Sequence, residues 1–357
     1  MQRKGSTLLS AFSHCMLILI IWIVPSSVVA YGAEQTWNAI VGAQSRDKGV
    51  QANAFLPNEV WIYDGDSITW KFATDEVHTV SLLTPGQIRP AFNGPAPGCP
   101  GIPGGATPSP ATYNGSACVN SGALLKGPGG TSYTVTFPKP GNYKLVCLIH
   151  QNMTGVVHVL DHLLEVNHPL PFNQAFYDDQ AEDLGRKLIS DIDKHEKDEG
   201  EGKERRELRS FFSRNEVTAG IGEVVATAGG TQFVTIMRFF SGTIRIHVGE
   251  TVEWTNLDPS DPHTITFGTE PAIPVPPSAG VVLDTDGARH ATISSVSPIP
   301  NVNSGFIAAA PQDATGRAQA PAGVTRFRVT FTVPGTYDYY CAIHDELGMV
   351  GKVIVTK

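Results

Sequence analysis

One stretch of this chain is written twice, and that limits its possible folds more than any other feature. Val41 to Trp70, VGAQSRDKGVQANAFLPNEVWIYDGDSITW, lies without a gap over Val225 to Trp254, VATAGGTQFVTIMRFFSGTIRIHVGETVEW. Phe55 falls on Phe239, Gly65 on Gly249, Asp66 on Glu250 and Trp70 on Trp254. Further on, YTVTFPKPGNYKLVCLIH, ending at His150, lies over FRVTFTVPGTYDYYCAIH, ending at His344. Phe137 meets Phe331, Tyr143 meets Tyr337 and Cys147 meets Cys341. Self-similarity of this length means one domain used twice, and 357 residues is a two-domain length.

Inside each copy, TVTF, RVTF and SITW alternate polar with apolar residues, the period of a strand with one buried face. Pro-Gly and Asp-Gly pairs supply turns between antiparallel neighbours, and the chain holds 36 Gly and 26 Pro. Each copy therefore reads as a β-sandwich and the chain as all-β. The expected domains are residues 34–162 and 220–357. Between them, in a linker over 163–219, the composition changes abruptly. Asp178 to Arg209, DDQAEDLGRKLISDIDKHEKDEGEGKERRELR, is dense in both signs of charge. Leu184, Leu188 and Ile192 recur every fourth residue, which predicts a helix with one apolar stripe, ended by Gly200 and Gly202. Mixed charge runs are usually wet faces, so the expected role is a solvated spacer or a helix lying on a domain surface. Partner docking is the alternative.

Ahead of the first copy, Arg3 and Lys4 precede an apolar run from Met16 to Val24 and small residues, SSVVA, ending at Ala30. The run is too short to span a bilayer. Residues 1–30 therefore read as a cleaved secretory signal peptide, and the mature protein as periplasmic or secreted with no stable membrane anchor. The formal net charge of −8 becomes more negative when Arg3 and Lys4 leave. An acidic chain repels nucleic acid and anionic membranes and favours basic partners, so nucleic acid is not an expected ligand. An exported compartment also permits a disulfide, and Cys99 with Cys118, both in a Gly/Pro-rich segment, is the expected pair. Cys147 and Cys341 need another explanation.

That explanation is in the residues around them. Cys147, His150 and Met153 stand in CLIHQNM, and Cys341, His344 and Met349 in CAIHDELGM; the second loop is longer by two residues and keeps the same three groups. A fourth group follows each tryptophan by a few residues: His78 in DEVHTVSL and His263 in DPHTITF. A lone cysteine in a sandwich is most often a small buried hydrophobe, and a single C-x2-H is a weak motif. The same four groups appearing twice are not weak. Two imidazoles, a thiolate and a weak axial thioether are the ligand set of a blue-copper electron-transfer site. Thiolate and thioether suit Cu(I) and imidazole suits Cu(II), so such a site need move little when an electron arrives. Zinc is the rival metal, but its closed tetrahedron has no use for a thioether.

GDSITW, GETVEW, PGNYKLVCLIHQNMTGVVHV and PGTYDYYCAIHDELGMVGKVIV resemble the cupredoxins, specifically the plastocyanin and amicyanin branch. The longer second loop is similar to that of plastocyanin and the shorter first loop to that of amicyanin. The resemblance covers most of residues 36–162 and 220–357. It implies two tandem Greek-key sandwiches joined by the charged, partly helical linker, with one type 1 copper near one end of each. The implied ligands are His78, Cys147, His150 and Met153 in the first domain, and His263, Cys341, His344 and Met349 in the second. In the family the second loop histidine is partly exposed and passes electrons to a docked partner, which would give His150 and His344 that role. Long Pro/Gly/Ala-rich inserts between the first histidine and the cysteine depart from the family's pattern at the end where a partner would dock.

Two-domain cupredoxins also include enzymes. Nitrite reductases and multicopper oxidases commonly couple blue copper to a second copper centre through a histidine adjacent to the copper cysteine. Here Cys147 is flanked by Val146 and Leu148, and Cys341 by Tyr340 and Ala342. The remaining histidines, His158, His162, His168, His195, His247 and His290, contain no H-x-H; His158 aligns with Ile354 and His247 with Tyr63, ordinary strand positions. The expected function is an exported carrier relaying single electrons between redox proteins such as a cytochrome or a copper enzyme. Asp345 and Glu346 beside His344 would steer a basic donor, whereas Gln151 and Asn152 beside His150 are neutral. The alternative is a two-domain copper oxidoreductase, nitrite reductase-like or oxidase-like, with an extra copper site built between subunits from His158, His162 and His290. Copper storage is disfavoured, since no Met-rich or Cys-rich tract is present.

Overall fold

Strand alternation is clearest where one face meets the core. In a computed structural model, which describes residues 33–87, 89, 107, 109–128, 130–164, 169–170, 172–201, 215–272, 275–309 and 324–357, Ser67–Phe72 (SITWKF) and Arg326–Phe331 (RFRVTF) bury every second side chain. Trp70 and Trp254 lie fully inside. The expected leader over 1–30 and Cys99 lie outside the described residues. Cys118 is disulfide-bonded, while Cys147 and Cys341 are free and buried.

The strands of the first copy are β1 (Thr36–Gln44), β2 (Val50–Leu56), β3 (Glu59–Tyr63), β4 (Ser67–Phe72), β5 (Ser81–Leu82), β6 (Ala111–Thr112), β7 (Val119–Asn120), β8 (Thr131–Thr136), β9 (Gly141–Val146) and β10 (Thr154–Leu160). The helix α1 (Gln174–Glu201) follows. The second copy contributes β11 (Glu216–Thr227), β12 (Gly230–Phe240), β13 (Thr243–His247), β14 (Thr251–Leu257), β15 (Thr266–Phe267), β16 (Val282–Leu283), β17 (Arg289–Ile293), β18 (Val302–Asn303), β19 (Arg326–Phe331), β20 (Gly335–Tyr340) and β21 (Val350–Thr356). Each copy has its own five-stranded sheet, ordered β3-β10-β9-β5-β7 in the first and β13-β21-β20-β15-β18 in the second. The facing layer is shared: one sheet of eleven strands runs β16-β17-β19-β14-β11-β12-β2-β1-β4-β8-β6 through both copies. The architecture is the all-β sandwich expected. Residues 33–357 form one compact unit.

The two copies join where β2 pairs antiparallel with β12. The register sets Asn53 opposite Phe233, Ala52 opposite Val234, Gln51 opposite Thr235 and Val50 opposite Ile236. Gln51 and Thr235 are equivalent positions of the repeat, so the junction is nearly two-fold about that pair, the arrangement of an isologous contact. β2 is buried at every residue (VQANAFL). A strand with neighbours on both edges and a layer on both faces loses its polar–apolar alternation. The second layer over β2 is α1. Ala181 and Leu188 of the helix pack against Val50, Ala52, Ala54 and Leu56 of β2 and Val234 and Ile236 of β12. Leu184 and Leu188 of the predicted stripe thus strap the helix over the junction, while the side chain of Ile192 lies outside the described residues. At Gly185 a Cβ would come within 3.2 Å of Ala43 and Leu56, so the helix backbone sits close to the sheet.

The ungapped alignment of the copies fails in one place. It holds from β2 onward, but in the first strand Val41 takes the place of Ala219, since Val41 pairs with Phe55 and Ala219 with Phe239. The β11–β12 hairpin continues past the level where Gln44 meets Gln51, out to Thr227 opposite Gly230. That extension rests on the first copy, where Asn58 Nδ2 donates to Thr227 Oγ1 and the Thr231 amide donates to Thr154 Oγ1 at 2.8 Å.

Leu188, 7% exposed, holds the strap to the junction. Leu188→Ala is expected to lower stability by about 2–4 kcal/mol, read as an earlier midpoint in guanidinium denaturation.

Candidate metal centres

Each centre begins where a strand stops. β9 ends at Val146 and β10 starts at Thr154, leaving a loop that carries Cys147, His150 and Met153. The Cys147 amide donates to the Met153 carbonyl at 3.0 Å and the Met153 amide to the His150 carbonyl at 3.2 Å, so the loop is tied across its base. In the second copy the Cys341 amide makes the same bond to Met349 at 3.0 Å. Its two additional residues are taken up by a turn of 3-10 helix, Asp345–Leu347, closed by Gly348 at φ +88°. Glycine suits that left-handed position because it has no Cβ to clash. Both methionines are fully buried.

The distant histidines are fixed by the ends of the inserts. His78 exchanges backbone hydrogen bonds with Leu124 at 2.8 and 2.9 Å, and His263 with Ile307 at 2.9 Å in both directions. With each histidine so placed, the next residue reaches the thiol. The Thr79 amide points at Cys147 Sγ and the Thr264 amide at Cys341 Sγ, each at 3.3 Å. The hydroxyls of the same threonines accept from the Leu148 and Ala342 amides at 2.7 Å. Arginines brace both loops: Arg89 donates to the Cys147, His150 and Gln151 carbonyls, and Arg238 to the Leu347 carbonyl at 2.8 Å.

The candidate ligand atoms converge. His78, Cys147 and His150 bring one donor atom each within 4.8 Å of one another, as do His263, Cys341 and His344. In the first group the two Nδ1 atoms are 3.0 Å apart and Cys147 Sγ is 3.6 Å from His150 Nδ1. In the second the corresponding distances are 3.1 and 3.5 Å. Burial alone would push both thiols up, but the charge and contact of the two neighbouring imidazoles outweigh it and hold Cys147 and Cys341 well below the ordinary thiol value. A buried cluster of two imidazoles and a thiol that readily ionises, with a buried thioether residue tied to the cysteine backbone, fits a copper ion. Met153 and Met349 are brought to the loop base as a fourth group.

One expectation fails. The resemblance implies a partly exposed second loop histidine for a docked partner, yet His150 and His344 are only 2% and 3% exposed. The junction covers them. His150 Nε2 faces Glu76 Oε1 at 3.5 Å and, from the other copy, Asp261 Oδ1 at 3.4 Å. His344 Nε2 faces the other oxygen of the same Glu76, Oε2, at 3.6 Å. Phe233 of the second copy packs against the His150 ring, tilted at 60° with centroids 5.8 Å apart, and Asn152 Nδ2 donates to Ser260 Oγ at 2.6 Å.

Glu76 and Asp261 were missed as site residues, although a signal existed. Each stands two places before its ligand histidine, in DEVH and SDPH. Their environments separate them. For Glu76, burial acts upward, but contact with His150 and the charges of His344, His150 and His78 hold the carboxyl down at about 2. Burial, then the charge of Asp258 beside it, pushes Asp261 up to about 7. The other two candidate imidazoles face partners within their own copies: His78 Nε2 the Thr74 hydroxyl at 3.1 Å, and His263 Nε2 Asp258 Oδ2 at 3.6 Å.

The histidines considered for an extra site sit in other company. His158 stacks on Trp61 at 4.0 Å and bonds Asn142 at 2.6 Å, while His290 Nε2 bonds Thr330 Oγ1 at 2.9 Å. His162 stands at the end of the first copy, with Nδ1 at 3.1 Å from the Asp64 carbonyl.

Glycine shapes both histidine pockets. The first strand of each copy bulges at Gly42 (φ +73°) and Gly220 (φ +70°). A Cβ at Gly220 would stand 2.1 Å from His263 Nε2, and one at Gly42 would stand 3.0 Å from His78 Nε2. Gly220→Ala is expected to cost about 1–3 kcal/mol in backbone strain and to displace His263. Metal counting should then show the second site lost and the first retained.

Comparison with known proteins agrees with this geometry. Residues 225–356 match the family described as copper binding proteins, plastocyanin/azurin family. Amicyanin-alpha of Methylorubrum extorquens is 29% identical over 151 residues, 42% of this chain and 92% of that protein. Chloroplastic plastocyanin of Oryza sativa subsp. indica is 66% identical over 29 residues, 8% of this chain and 19% of that protein. Among solved structures, oxidised plastocyanin from Dryopteris crassirhizoma is 20% identical, covering 40% of this chain and 99% of its own, with a TM-score of 0.20. Residues 225–356, within the second copy, are thus similar to the plastocyanin/azurin family of copper binding proteins, and 42% of the chain is similar to an amicyanin.

Proposed function

We propose that this chain is an exported electron-transfer protein whose two domains, residues 34–162 and 220–357, each hold one type 1 copper ion. The observation that carries the reading is the twofold convergence of two histidines and a cysteine within 4.8 Å. His78, Cys147, His150 and Met153 would hold one ion, and His263, Cys341, His344 and Met349 the other. Copper bound there would alternate between Cu(I) and Cu(II), taking up and releasing one electron.

The chain's own residues prepare for that change. The Thr79 and Thr264 amides aim at the sulfurs, and hydrogen bonding to a ligating cysteine tunes the potential of such a site. Burial of all six convergent side chains excludes water. The loops differ, HQNM against HDELGM, and so do the Nε2 partners of His78 and His263, a hydroxyl and a carboxylate. Those differences favour unequal potentials, so electrons relayed through the chain would have a preferred direction. Among the described residues no helix is long and apolar enough to cross a membrane.

Redox proteins, such as a cytochrome or a copper enzyme, are the proposed partners. With His150 and His344 covered, a partner would approach the second centre by the side of its loop, where Asp345 is half-buried and Glu346 exposed.

Purified protein oxidised with cupric salt should show an intense band at about 600 nm and two coppers per chain, with Cys147→Ser and Cys341→Ser each removing one. A colourless sample would end this reading. Replacing Asp345 and Glu346 together by Asn and Gln should flatten the ionic-strength dependence of electron uptake from a basic donor; an unchanged slope would remove the steering role.

A further inference from the structure

Glu76 has an unusual position for a residue of the first copy. It is buried, 8% exposed, and its two carboxylate oxygens face two different ligand rings: Oε1 is 3.5 Å from His150 Nε2, and Oε2 is 3.6 Å from His344 Nε2. Both rings turn their Nδ1 atoms to their own cysteine, at 3.6 Å in the first site and 3.5 Å in the second. The sequence of groups Cys147, His150, Glu76, His344, Cys341 is therefore continuous from one centre to the other. Its equivalent in the repeat, Asp261, does not complete the symmetry. Asp261 Oδ1 faces His150 at 3.4 Å, and its Oδ2 accepts from Asn53 Nδ2 at 3.2 Å.

We propose that Glu76 is a shared coupling residue, one buried carboxylate that sets the potential of both copper centres and connects them for internal electron exchange. The proposal rests on the functional reading above. A ligating imidazole is tuned by whatever its other ring nitrogen addresses, and a carboxylate there raises its basicity. Here one carboxylate serves two such imidazoles. Its negative charge stabilises the oxidised ion on both sides, since the charge lies close to both rings in a medium that screens poorly. The exchange itself is a one-electron step: one site is oxidised as the other is reduced, with no bond made or broken.

The decisive measurement uses chains that keep one centre. In a Cys147→Ser chain only the second centre remains, and Glu76→Gln is expected to raise its potential although Glu76 belongs to the first copy. In a Cys341→Ser chain the same substitution raises the potential of the first centre. In the two-centre protein, electron equalisation after rapid reduction by a photogenerated one-electron reductant should slow about tenfold with Glu76→Gln, the lower end of what removing such an outer partner costs in metal affinity or activity. Glu76→Asp, which keeps the charge but withdraws the oxygens, should slow exchange while moving the potentials less. A second-centre potential indifferent to Glu76→Gln, or an unchanged exchange rate in both variants, would overturn the coupling role alone. A chain that binds copper at neither site would overturn the functional reading and this inference together.

Discussion

The pairing of β2 with β12 decides where both centres look. Its register places Gln51 opposite Thr235, and the near two-fold that follows brings the ligand loops of the two copies to one shared interior. Every unusual feature of the sites comes from that choice. The rings of His150 and His344 are withdrawn from solvent, Glu76 and Asp261 go into the same interior, and α1 is needed to cover the outer face of the strands that make the junction. A register slipped by one residue would turn the side chains of one strand to the opposite face of the sheet.

Placing carboxylates and imidazoles in one dry interior is costly, because desolvation of charge outweighs most of what pairing returns. The chain keeps the cost bearable by giving these groups several partners. Asp258 accepts the Ser260 and Asp261 amides at 2.9 Å and lies opposite His263, and Asn53 holds Asp261. Such a cluster is poor as a source of stability, and apolar packing under α1 does that work instead. The groups that bear the penalty are the ones that face the rings of His150, His263 and His344.

Much of the site was legible because its signals are local. Cys147, His150 and Met153 lie within one loop and are joined by short-range hydrogen bonds, and the same holds for Cys341, His344 and Met349. The buried tryptophans and the alternating strands were equally plain. The misreadings concern how the copies meet. Nothing in HQNM or HDELGM says that these loops are covered, since the covering residues, Asp261 for the first loop and Glu76 for the second, come from the other half of the chain. The longer β11–β12 hairpin was hidden for a related reason. Its additional pairs fall between segments that match well, and TAGG offers an ordinary turn at either length.

The junction also uses up the sheet's most hazardous edges. A seven-residue β2 and an eleven-residue β12 would each be a long unpaired row of amides and carbonyls if the copies stood apart, and such rows recruit other chains into mispaired sheets. Joined to each other, they leave the eleven-stranded layer bordered by Ala111–Thr112 at one side and Val282–Leu283 at the other, strands of two residues each. Among the described residues, the outermost strand at each side of that wide sheet is thus a short one, which offers an incoming chain little length to pair with.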